Sequence, residues 1–457
     1  MGPTSAPPAG REGPLATPAG AAPGEPILRW RSRARTIEEI ERELARIWSE
    51  PTLTTVVSGV EERFIAARTS VMNLVVIARS PEDAEHCAAI IQRLTGRHPS
   101  RTLIVSTADP DGPSWLDAQI QAHCILPRED APETCAEMIY LTAGGEGGRH
   151  LEAIVAPLLI HDLPVVVWWP GEPPFGTEQA KDVFEMADRV VVDGSSWQGD
   201  GLNRLAKMAR LLEHRGLAIT DFALLRQSRW REAIASAFDD PELLPYVRSL
   251  RRIAVTYGTH DEEGAPGSTN IVKPVYHVAW LASRLGLSVE TALHPVDGRP
   301  HAARRPSGRP TISHGLAATL RGGSRQVAVV IRPVVSETPS GRTLRVELLC
   351  ERRGSELRID VTAEAETVVI HAWQDGVAIL ERTFVAPRRT EADLLAEVIE
   401  AAGRDPVMTD VIAVACDLAG AVAAVPGRPP GAAPPTGPAA SAADADEGRD
   451  PPSGGLA

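Results

Sequence analysis

The sequence predicts an α/β N-terminal domain with a mixed, mostly parallel sheet, an α+β C-terminal domain with an antiparallel sheet, and disordered tails. Three observations carry this prediction: strand-like and helix-like runs alternate in the first half, strand-like runs follow one another in the second half, and both ends are rich in proline and glycine. Residues 1–26 and 426–457 hold 15 of the 39 prolines and almost no large apolar side chains, so burial cannot offset the entropy of ordering them. The predicted divisions are a disordered tail and linker at 1–35, an α/β domain at 36–215, an α+β domain at 216–425 and a disordered tail at 426–457.

The first domain begins with a capping box, Thr36-Ile-Glu-Glu39, which opens an amphipathic helix that runs to about Glu50. Continuous apolar strands that alternate with helices predict a mostly parallel sheet covered on both faces. Two strands that follow each other without a helix make the sheet mixed. The predicted strands are 71–79, 101–107, 116–126, 135–142, 163–169 and 189–193, and the further predicted helices are 81–95, 149–160, 178–187 and 201–214.

The second domain is predicted as an antiparallel sheet with helices at its ends, because its strand-like runs are closely spaced. A polar stretch at 291–324, rich in glycine, proline, arginine and histidine, is expected to be a long exposed loop. The predicted strands are 249–257, 325–335, 342–352, 355–361, 366–373 and 377–384, the predicted helices are 229–238, 275–285 and 391–402, and an apolar segment follows at 407–424.

Composition argues against several classes of protein. The net charge of −13 disfavours nucleic acid or an anionic membrane as the main partner. No apolar run reaches the roughly 18–20 residues that span a bilayer, and the N-terminus lacks a signal-peptide pattern, so we expect a soluble cytoplasmic protein. The five cysteines are odd in number and form no CxxC pair, which makes a disulfide framework unlikely; Cys124 and Cys135, in predicted strands, are expected to be buried thiols.

The loop Gly144–Gly148 lies between a predicted strand and a predicted helix, where a phosphate-binding turn belongs. It lacks the Walker Lys-Ser/Thr, and the dinucleotide fingerprint fails at His150. Two interpretations stay open: a flexible connecting loop, or the binding loop of a sugar-phosphate or nucleotide-binding enzyme. The chain contains neither G-x-S-x-G nor H-E-x-x-H, and no spacing indicates a metal site, so the sequence predicts no catalytic residue, no cofactor and no metal.

The most unusual segment is Trp168–Pro174, which ends an apolar strand at the carboxyl edge of the predicted sheet, where α/β proteins place ligands. Adjacent strand residues point to opposite faces, so one indole can be core while the other faces the rim. Tryptophan is also enriched in interfaces. Core packing and partner contact both remain open for Trp168 and Trp169.

Several segments, taken in order, resemble the bacterial family of the glucose-6-phosphate dehydrogenase assembly protein OpcA. The resemblance covers roughly residues 36–420 and leaves out the tails. In the first half it lies in Arg68–Val76, Gly96–Thr102, Ala122–Cys124, Ala156–Val165, Trp168–Pro174 and Ala187–Asp193. In the second half it lies in Asp221, Arg226, Trp230–Glu232, Phe238–Asp239, Arg251–Arg252 and Ala279–Gly286.

The resemblance implies a non-enzymatic protein whose partner is glucose-6-phosphate dehydrogenase. Such proteins favour the active oligomer of that enzyme and so promote the oxidative pentose phosphate pathway and NADPH supply. Whether the effect is on folding, oligomer assembly or allosteric activation stays open. No catalytic residue carries over. The residues expected at the partner interface are Trp168, Trp169, Pro170, Gly171, Arg226, Trp230 and Arg231.

The chain departs from the family pattern at two places. Leu224 stands where a second tryptophan is expected between Asp221 and Trp230. Some relatives are regulated by thioredoxin through C-terminal cysteines, but Cys350 and Cys416 are far apart here, so thioredoxin is not expected as a partner. A thiol redox sensor is kept as a third hypothesis.

Overall fold

A computed structural model gives the fold of most of the chain. It describes residues 25–49, 54–56, 63–65, 67–68, 70–94, 98–109, 111–125, 134–197, 199, 201–214, 216–260, 269–296, 315–401 and 403–420. Of the segments predicted to be disordered tails, only residues 25–35 are described; residues 1–24 and 426–457 lie outside the described part.

The described strands, in chain order, are Ile27–Ala34 (β1), Thr54–Val56 (β2), Arg63–Ile65 (β3), Ala67–Arg68 (β4), Asn73–Ala78 (β5), Arg101–Ala108 (β6), Trp115–Ile125 (β7), Thr134–Gly144 (β8), Val165–Trp169 (β9), Arg189–Val192 (β10), Ala218–Asp221 (β11), Leu250–Thr259 (β12), Ser288–Val296 (β13), Gly315–Gly322 (β14), Arg325–Val335 (β15), Thr343–Arg352 (β16), Ser355–Ala363 (β17), Thr367–Gln374 (β18) and Val377–Val385 (β19).

The described α-helices are Ile37–Ser49 (α1), Pro81–Gln92 (α2), Glu146–Arg149 (α3), Leu151–Val155 (α4), Glu178–Glu185 (α5), Gly201–Glu213 (α6), Phe222–Leu225 (α7), Ser228–Ala237 (α8), Val272–Arg284 (α9), Glu391–Glu400 (α10) and Pro406–Leu418 (α11). Short 3-10 helices occupy Ala156–Leu158, Gly194–Ser196 and Leu244–Ser249.

Local sequence explains where several helices begin. Thr36 accepts a hydrogen bond from the Glu39 amide at 3.2 Å, which confirms the predicted start of α1. Ser80 caps α2 in the same way through the Asp83 amide, ahead of a proline in the first turn. Thr390 forms a reciprocal capping box at the start of α10.

The first sheet has the strand order β1-β7-β8-β6-β5-β9-β10-β11, and β4 pairs with the β8 strand. The strands from β8 to β11 in this order are parallel to one another, whereas β7 is antiparallel to both of its neighbours. The predicted mixed, mostly parallel sheet is therefore confirmed. The chain winds from β5 outward through β6 to β8 and then returns to β9 on the other side of β5, which makes the β5–β9 junction a topological switch point.

The second sheet has the order β13-β14-β15-β12-β16-β17-β18-β19. All of its pairs are antiparallel except β12 with β15. This confirms the predicted α+β architecture. The small β2–β3 pair stands apart from both sheets.

Two buried apolar clusters hold these layers together. The larger cluster contains one face of the first sheet and the inner face of the second, so the two sheets share a continuous core. The smaller cluster covers the opposite face of the first sheet, where β5 side chains such as Leu74 and Val76 meet α2 and α10, a helix that follows the second sheet in the chain. Arg189 of the first sheet holds α10 in this position by donating hydrogen bonds to the carbonyl oxygens of Val398, Ala401 and Gly403 at the end of the helix.

Three sequence-based expectations are corrected. Residues 27–34, predicted as part of a disordered tail and linker, form β1 because they pair along the whole edge of β7. The stretch 291–324, predicted as one exposed loop, contains β13 to Val296 and β14 from Gly315, because their backbones complete the edge of the second sheet; residues 297–314 lie outside the described part. β11 lies beyond the predicted boundary at 215–216, yet it is the last strand of the first sheet.

Candidate functional site

The last strand before the Pro-Gly turn ends in two tryptophans that lie on opposite faces of the first sheet, as predicted. Trp168 is 1% exposed and packs against Phe222, with ring centroids 6.2 Å apart. Trp169 is 3% exposed and packs against Phe184 at 5.7 Å. Both indoles belong to the core, so neither ring offers a contact surface in this structure.

Pro170 and Gly171 follow directly at the switch point of the sheet. The Ser196 hydroxyl donates a hydrogen bond to the Pro170 carbonyl at 3.3 Å. A β-carbon on Gly171 would lie 2.7 Å from Nε of Arg79, at the end of the neighbouring β5. A larger residue at this position would have to displace the Arg79 side chain, which is 67% exposed.

Arg226 lies past the end of β11 and is held by an acidic neighbour. Its guanidinium donates hydrogen bonds to Oδ2 of Asp193 at 2.7 Å and to the Ser195 hydroxyl at 3.0 Å. It also lies 5.8 Å from the ring centre of Phe222. The side chain is 24% exposed, so a partner could reach it only at its outer edge.

Trp230 and Arg231 lie on α8 and are largely engaged inside the protein. Trp230 is 8% exposed, and its ring lies 5.0 Å from that of His277. Arg231 donates to the Leu224 carbonyl at 2.6 Å. Leu224, the departure from the family pattern, is itself 2% exposed and is therefore a core position.

The glycine loop that suggested phosphate binding uses its amides internally. The segment Gly144–Gly148 leads into the four-residue helix α3. The Gly145 amide donates to the Asp109 carbonyl at 3.0 Å, and the Glu146 amide donates to the Ser114 hydroxyl at 3.2 Å. A phosphate needs amides that point freely at the ligand. The loop therefore resembles a connecting turn rather than an anion site.

Cys124 and Cys135 form a disulfide, which corrects the expectation of buried thiols. The two residues lie directly opposite each other in the β7–β8 pair, with their α-carbons 4.0 Å apart. Their strands and their burial agree with the sequence-based expectation. The hairpin register, which brings the two sulfur atoms together, has no signal in the local sequence pattern.

The remaining cysteines are buried free thiols. Burial raises the pKa of Cys87 and of Cys350 to about 12, and it also raises the pKa of Cys416. Thiols with raised pKa values stay protonated and react slowly. These three positions therefore lack the environment of a reactive cysteine.

Neither a metal cluster nor a membrane-spanning helix occurs in the described part of the chain. Those residues bring together no group of three or more histidine, cysteine, aspartate or glutamate side chains able to hold a metal ion. Within the same residues, every helix is too short or too polar to cross a bilayer.

A buried carboxylate, named in the sequence only as part of the family resemblance, ends β11. Asp221 is fully buried and accepts hydrogen bonds from the Tyr276 hydroxyl at 2.7 Å, the Gly194 amide at 3.0 Å and the Ala223 amide at 2.7 Å. Burial, together with the nearby charge of Asp193, raises the pKa of the Asp221 carboxyl to about 6. This group ties three elements together beneath the carboxyl edge of the sheet.

Beside this carboxylate, a cleft of about 520 Å³ opens between the carboxyl edge of the first sheet and one end of the second. Two of the predicted site residues, Arg226 and Trp230, line it, and so do Lys273 and His277 from α9. We call this cavity the interdomain cleft. Its walls carry six cationic side chains against two carboxylates: Arg226, Arg229, Lys273, Arg342, Arg388 and Arg389, with Glu364 and Glu391. No sequence motif indicates this site, because its residues come from segments far apart in the chain.

The last strand of the second sheet exposes apolar side chains. On one face of β19, Leu380 and Phe384 pack against the core. Val377, Ile379 and Val385 of the same strand are 65%, 43% and 71% exposed. No described strand pairs with the outer edge of β19. Exposed apolar residues on an unpaired edge are typical of a place where another chain docks.

Two family models match consecutive parts of the chain. The first describes the N-terminal domain of a glucose-6-phosphate dehydrogenase subunit and matches residues 91–210; the second describes the C-terminal domain of the same protein and matches residues 217–412. A curated protein of Nostoc punctiforme, named "Putative OxPP cycle protein OpcA", is 26% identical over 199 residues, which is 43% of this chain. The match covers 40% of that protein's own length.

Solved structures with a similar arrangement are distant. The transcriptional regulator Gal80p of Kluyveromyces lactis gives a TM-score of 0.43 at 10% identity, over 80% of this chain and 91% of that one. The UDP-N-acetylglucosamine 3-dehydrogenase GnnA of Acidithiobacillus ferrooxidans gives 0.37 at 10% identity, over 78% and 99%. Likenesses this distant carry no argument about function.

Proposed function

Because the chain belongs to the OpcA family of glucose-6-phosphate dehydrogenase assembly proteins, we propose that it is a non-catalytic assembly factor and activator of that enzyme. In this proposal the protein binds glucose-6-phosphate dehydrogenase, favours its active oligomer, and so promotes the oxidative pentose phosphate pathway and NADPH supply. The cytoplasmic location expected from the sequence belongs to the same proposal.

One observation carries the proposal: the two family domains follow each other across residues 91–210 and 217–412, in the order N-terminal then C-terminal. A sugar-phosphate or nucleotide-binding enzyme would need free amides in the Gly144–Gly148 loop. The amides of Gly145 and Glu146 are instead hydrogen-bonded within the protein. Activation by binding has a simple physical basis. A tenfold preference for the active oligomer shifts the equilibrium by about 1.4 kcal/mol.

The edge strand β19, with its exposed apolar side chains, is the surface we propose for contact with the dehydrogenase. Val377, Ile379 and Val385 form its apolar part, and burying them in a complex removes apolar area from water. Fewer of the seven residues predicted from the sequence therefore remain as direct contacts. Pro170, Arg226 and Arg231 keep partly exposed surface and remain predicted contacts, whereas buried Trp168, Trp169, Gly171 and Trp230 would act by holding the sheet edge in place.

Mixing this protein with glucose-6-phosphate dehydrogenase of the same organism tests the proposal. We expect higher enzyme activity at low substrate and a shift of the oligomer distribution in light scattering. The matched control is an equal amount of an unrelated folded protein of similar size and net charge. Unchanged activity together with an unchanged oligomer distribution, at micromolar concentrations of both proteins, would refute the proposal.

A further inference from the structure

The interdomain cleft concentrates positive charge on a chain whose net charge is −13. Arg226 enters it from the end of the first sheet, Lys273 from the first turn of α9, and Arg342 from the turn before β16. Like charges that converge on one cavity repel each other, which costs folding free energy. An arrangement of this kind is favourable when an anion fills the space between the charges.

Lys273 is the cation in the cleft wall best suited to bind an anion. Its side chain is partly buried, and within the described residues its ammonium has neither a hydrogen-bond partner nor a carboxylate in ion-pair range. Burial and the neighbouring charges of Arg226 and Arg342 lower the pKa of Lys273, although the charges of Asp193 and Asp221 act in the opposite direction. A partly buried ammonium that makes no direct ion pair is less favourable than a paired one. Its position in the cleft wall places that unpaired charge where a ligand can reach it.

Neutral polar groups in the same wall also lack partners. His277 is 1% exposed, and neither of its ring nitrogens makes a hydrogen bond with any residue that the structure describes. Oε1 of Gln227 and the hydroxyl of Thr343 are likewise buried without a partner. Buried polar groups are almost always hydrogen-bonded, so orphan groups that line one cavity indicate places for a ligand's own polar atoms. Burial lowers the pKa of His277 to about 3, so at neutral pH its ring offers one donor and one acceptor, which suits a hydroxyl group.

We infer that the interdomain cleft binds a small phosphorylated molecule that carries hydroxyl groups. The phosphate lies among Lys273, Arg226 and Arg342, because a phosphate dianion has enough oxygens to accept from several cationic donors at once. The hydroxyl-bearing part lies against His277, Gln227 and Thr343. The cleft volume of about 520 Å³ falls within the usual range of small-ligand sites.

Calorimetric titration of the full chain alone tests this inference, and it needs no partner enzyme. The probes are glucose 6-phosphate, ribose 5-phosphate and 3-phosphoglycerate, with glucose and inorganic phosphate as their separated parts. We expect at least one of the three phosphomonoesters to bind at millimolar concentration or below, at least about tenfold more tightly than inorganic phosphate. Glucose is expected to give no heat of binding.

Two substitutions locate the site. Lys273→Gln and Arg342→Gln are each expected to weaken binding about tenfold or more, which corresponds to about 1.4 kcal/mol. Arg251→Gln is the control, because Arg251 is exposed and lies outside the cleft. In the absence of ligand, Lys273→Gln is expected to unfold at the same temperature as the wild type or a higher one, since it removes an unpaired charge.

Three results would overturn the inference. One is the absence of binding by all three phosphomonoesters at millimolar concentration. Another is affinity for glucose equal to that for glucose 6-phosphate. The third is unchanged affinity in Arg342→Gln. Arg342 is partly exposed, so this variant is expected to fold. Failure of the partner experiment would leave the inference standing, and failure of this titration would leave the partner proposal standing.

Discussion

Tyr276 on α9 donates its hydroxyl hydrogen to Oδ2 of Asp221 at 2.7 Å, and both groups are fully buried. The bond fastens a helix that follows the start of the second sheet to the last strand of the first. It also favours the ionised carboxylate, against the burial that raises the carboxyl pKa to about 6. The energy of this contact should therefore depend on pH.

Tyr276→Phe is expected to lower the free energy of unfolding by about 2 kcal/mol at pH near 8, because a buried carboxylate loses its donor. The loss should shrink at pH near 5, where Asp221 is protonated in the folded protein and the bond contributes less. Urea unfolding at both pH values measures this. Tyr257→Phe is the matched control, since the Tyr257 hydroxyl is buried without a partner. Equal losses at the two pH values would contradict the prediction.

His277→Phe is expected to protect the protein against acid. The pKa of His277 is about 3 in the folded protein and 6.5 in the unfolded chain, so its contribution is complete above 6.5 and is lost as the pH falls toward 3. Between pH 7.5 and pH 5, the free energy of unfolding of the variant should fall by about 2 kcal/mol less than that of the wild type. Urea unfolding between pH 7.5 and 5 provides the comparison, at about half-unit steps. His161 is exposed, so His161→Gln should show the wild-type dependence of unfolding free energy on pH. The same dependence in His277→Phe would show that the buried His277 ring does not resist protonation.

Arg189→Met is expected to free α10 from the first sheet. The substitution keeps an apolar stem but removes the donors to Val398, Ala401 and Gly403. A loss of about 2–4 kcal/mol follows from the carbonyls left without a partner. Hydrogen exchange of peptides that cover 391–403 should accelerate before the rest of the protein changes. Arg251→Met serves as control, and uniform acceleration across the chain would argue against a local role.

Val377→Lys with Val385→Lys is expected to weaken binding of glucose-6-phosphate dehydrogenase about tenfold or more, because two charges enter the proposed contact surface on β19. Both side chains are exposed, so the unfolding free energy should change by no more than about 0.5 kcal/mol. Affinity from sedimentation or surface-based binding measures the effect. Val71→Lys tests an apolar residue of similar exposure elsewhere, at 55%. Equal weakening by Val71→Lys would remove the case for β19.

Alkylation under denaturing, non-reducing conditions is expected to label three of the five cysteines, since Cys124 and Cys135 are joined. Reduction should then lower the unfolding free energy by about 2–3 kcal/mol, because it frees a loop of 11 positions in the unfolded chain. The Cys124→Ser, Cys135→Ser double variant should not respond to reductant. Five labels without reductant would show that the bond does not form.

Local patterns are enough to predict most elements of the fold. Continuous apolar runs such as Leu163–Trp169 predict the parallel strands, and a capping residue marks the start of α1. Pairing partners are harder to predict. β1 carries Arg29, Arg31 and Arg33 beside a proline-rich segment, and only its contact with β7 makes it a strand. β13 is the half-polar edge strand of the second sheet, and its strand conformation likewise depends on pairing with β14.

The candidate site is predictable only in part. The carboxyl edge of the sheet and the opposite orientation of Trp168 and Trp169 follow from strand geometry. Their burial depends on Phe222 and Phe184, which belong to helices packed from elsewhere. Lys273 is solitary in the sequence, because the cations beside it arrive from segments distant along the chain.

The packing of α10 against α2, which is made much earlier in the chain, affects how the protein folds during synthesis. His86 on α2 and Glu391 on α10 form a contact between positions 305 residues apart. A ribosome therefore delivers the first sheet and α2 long before the helix that completes their cover. Until α10 emerges, Leu394 and Leu395 are missing from that cover, and part of the apolar cluster around α2 faces water. This apolar surface of the nascent chain is covered only when α10 packs against α2.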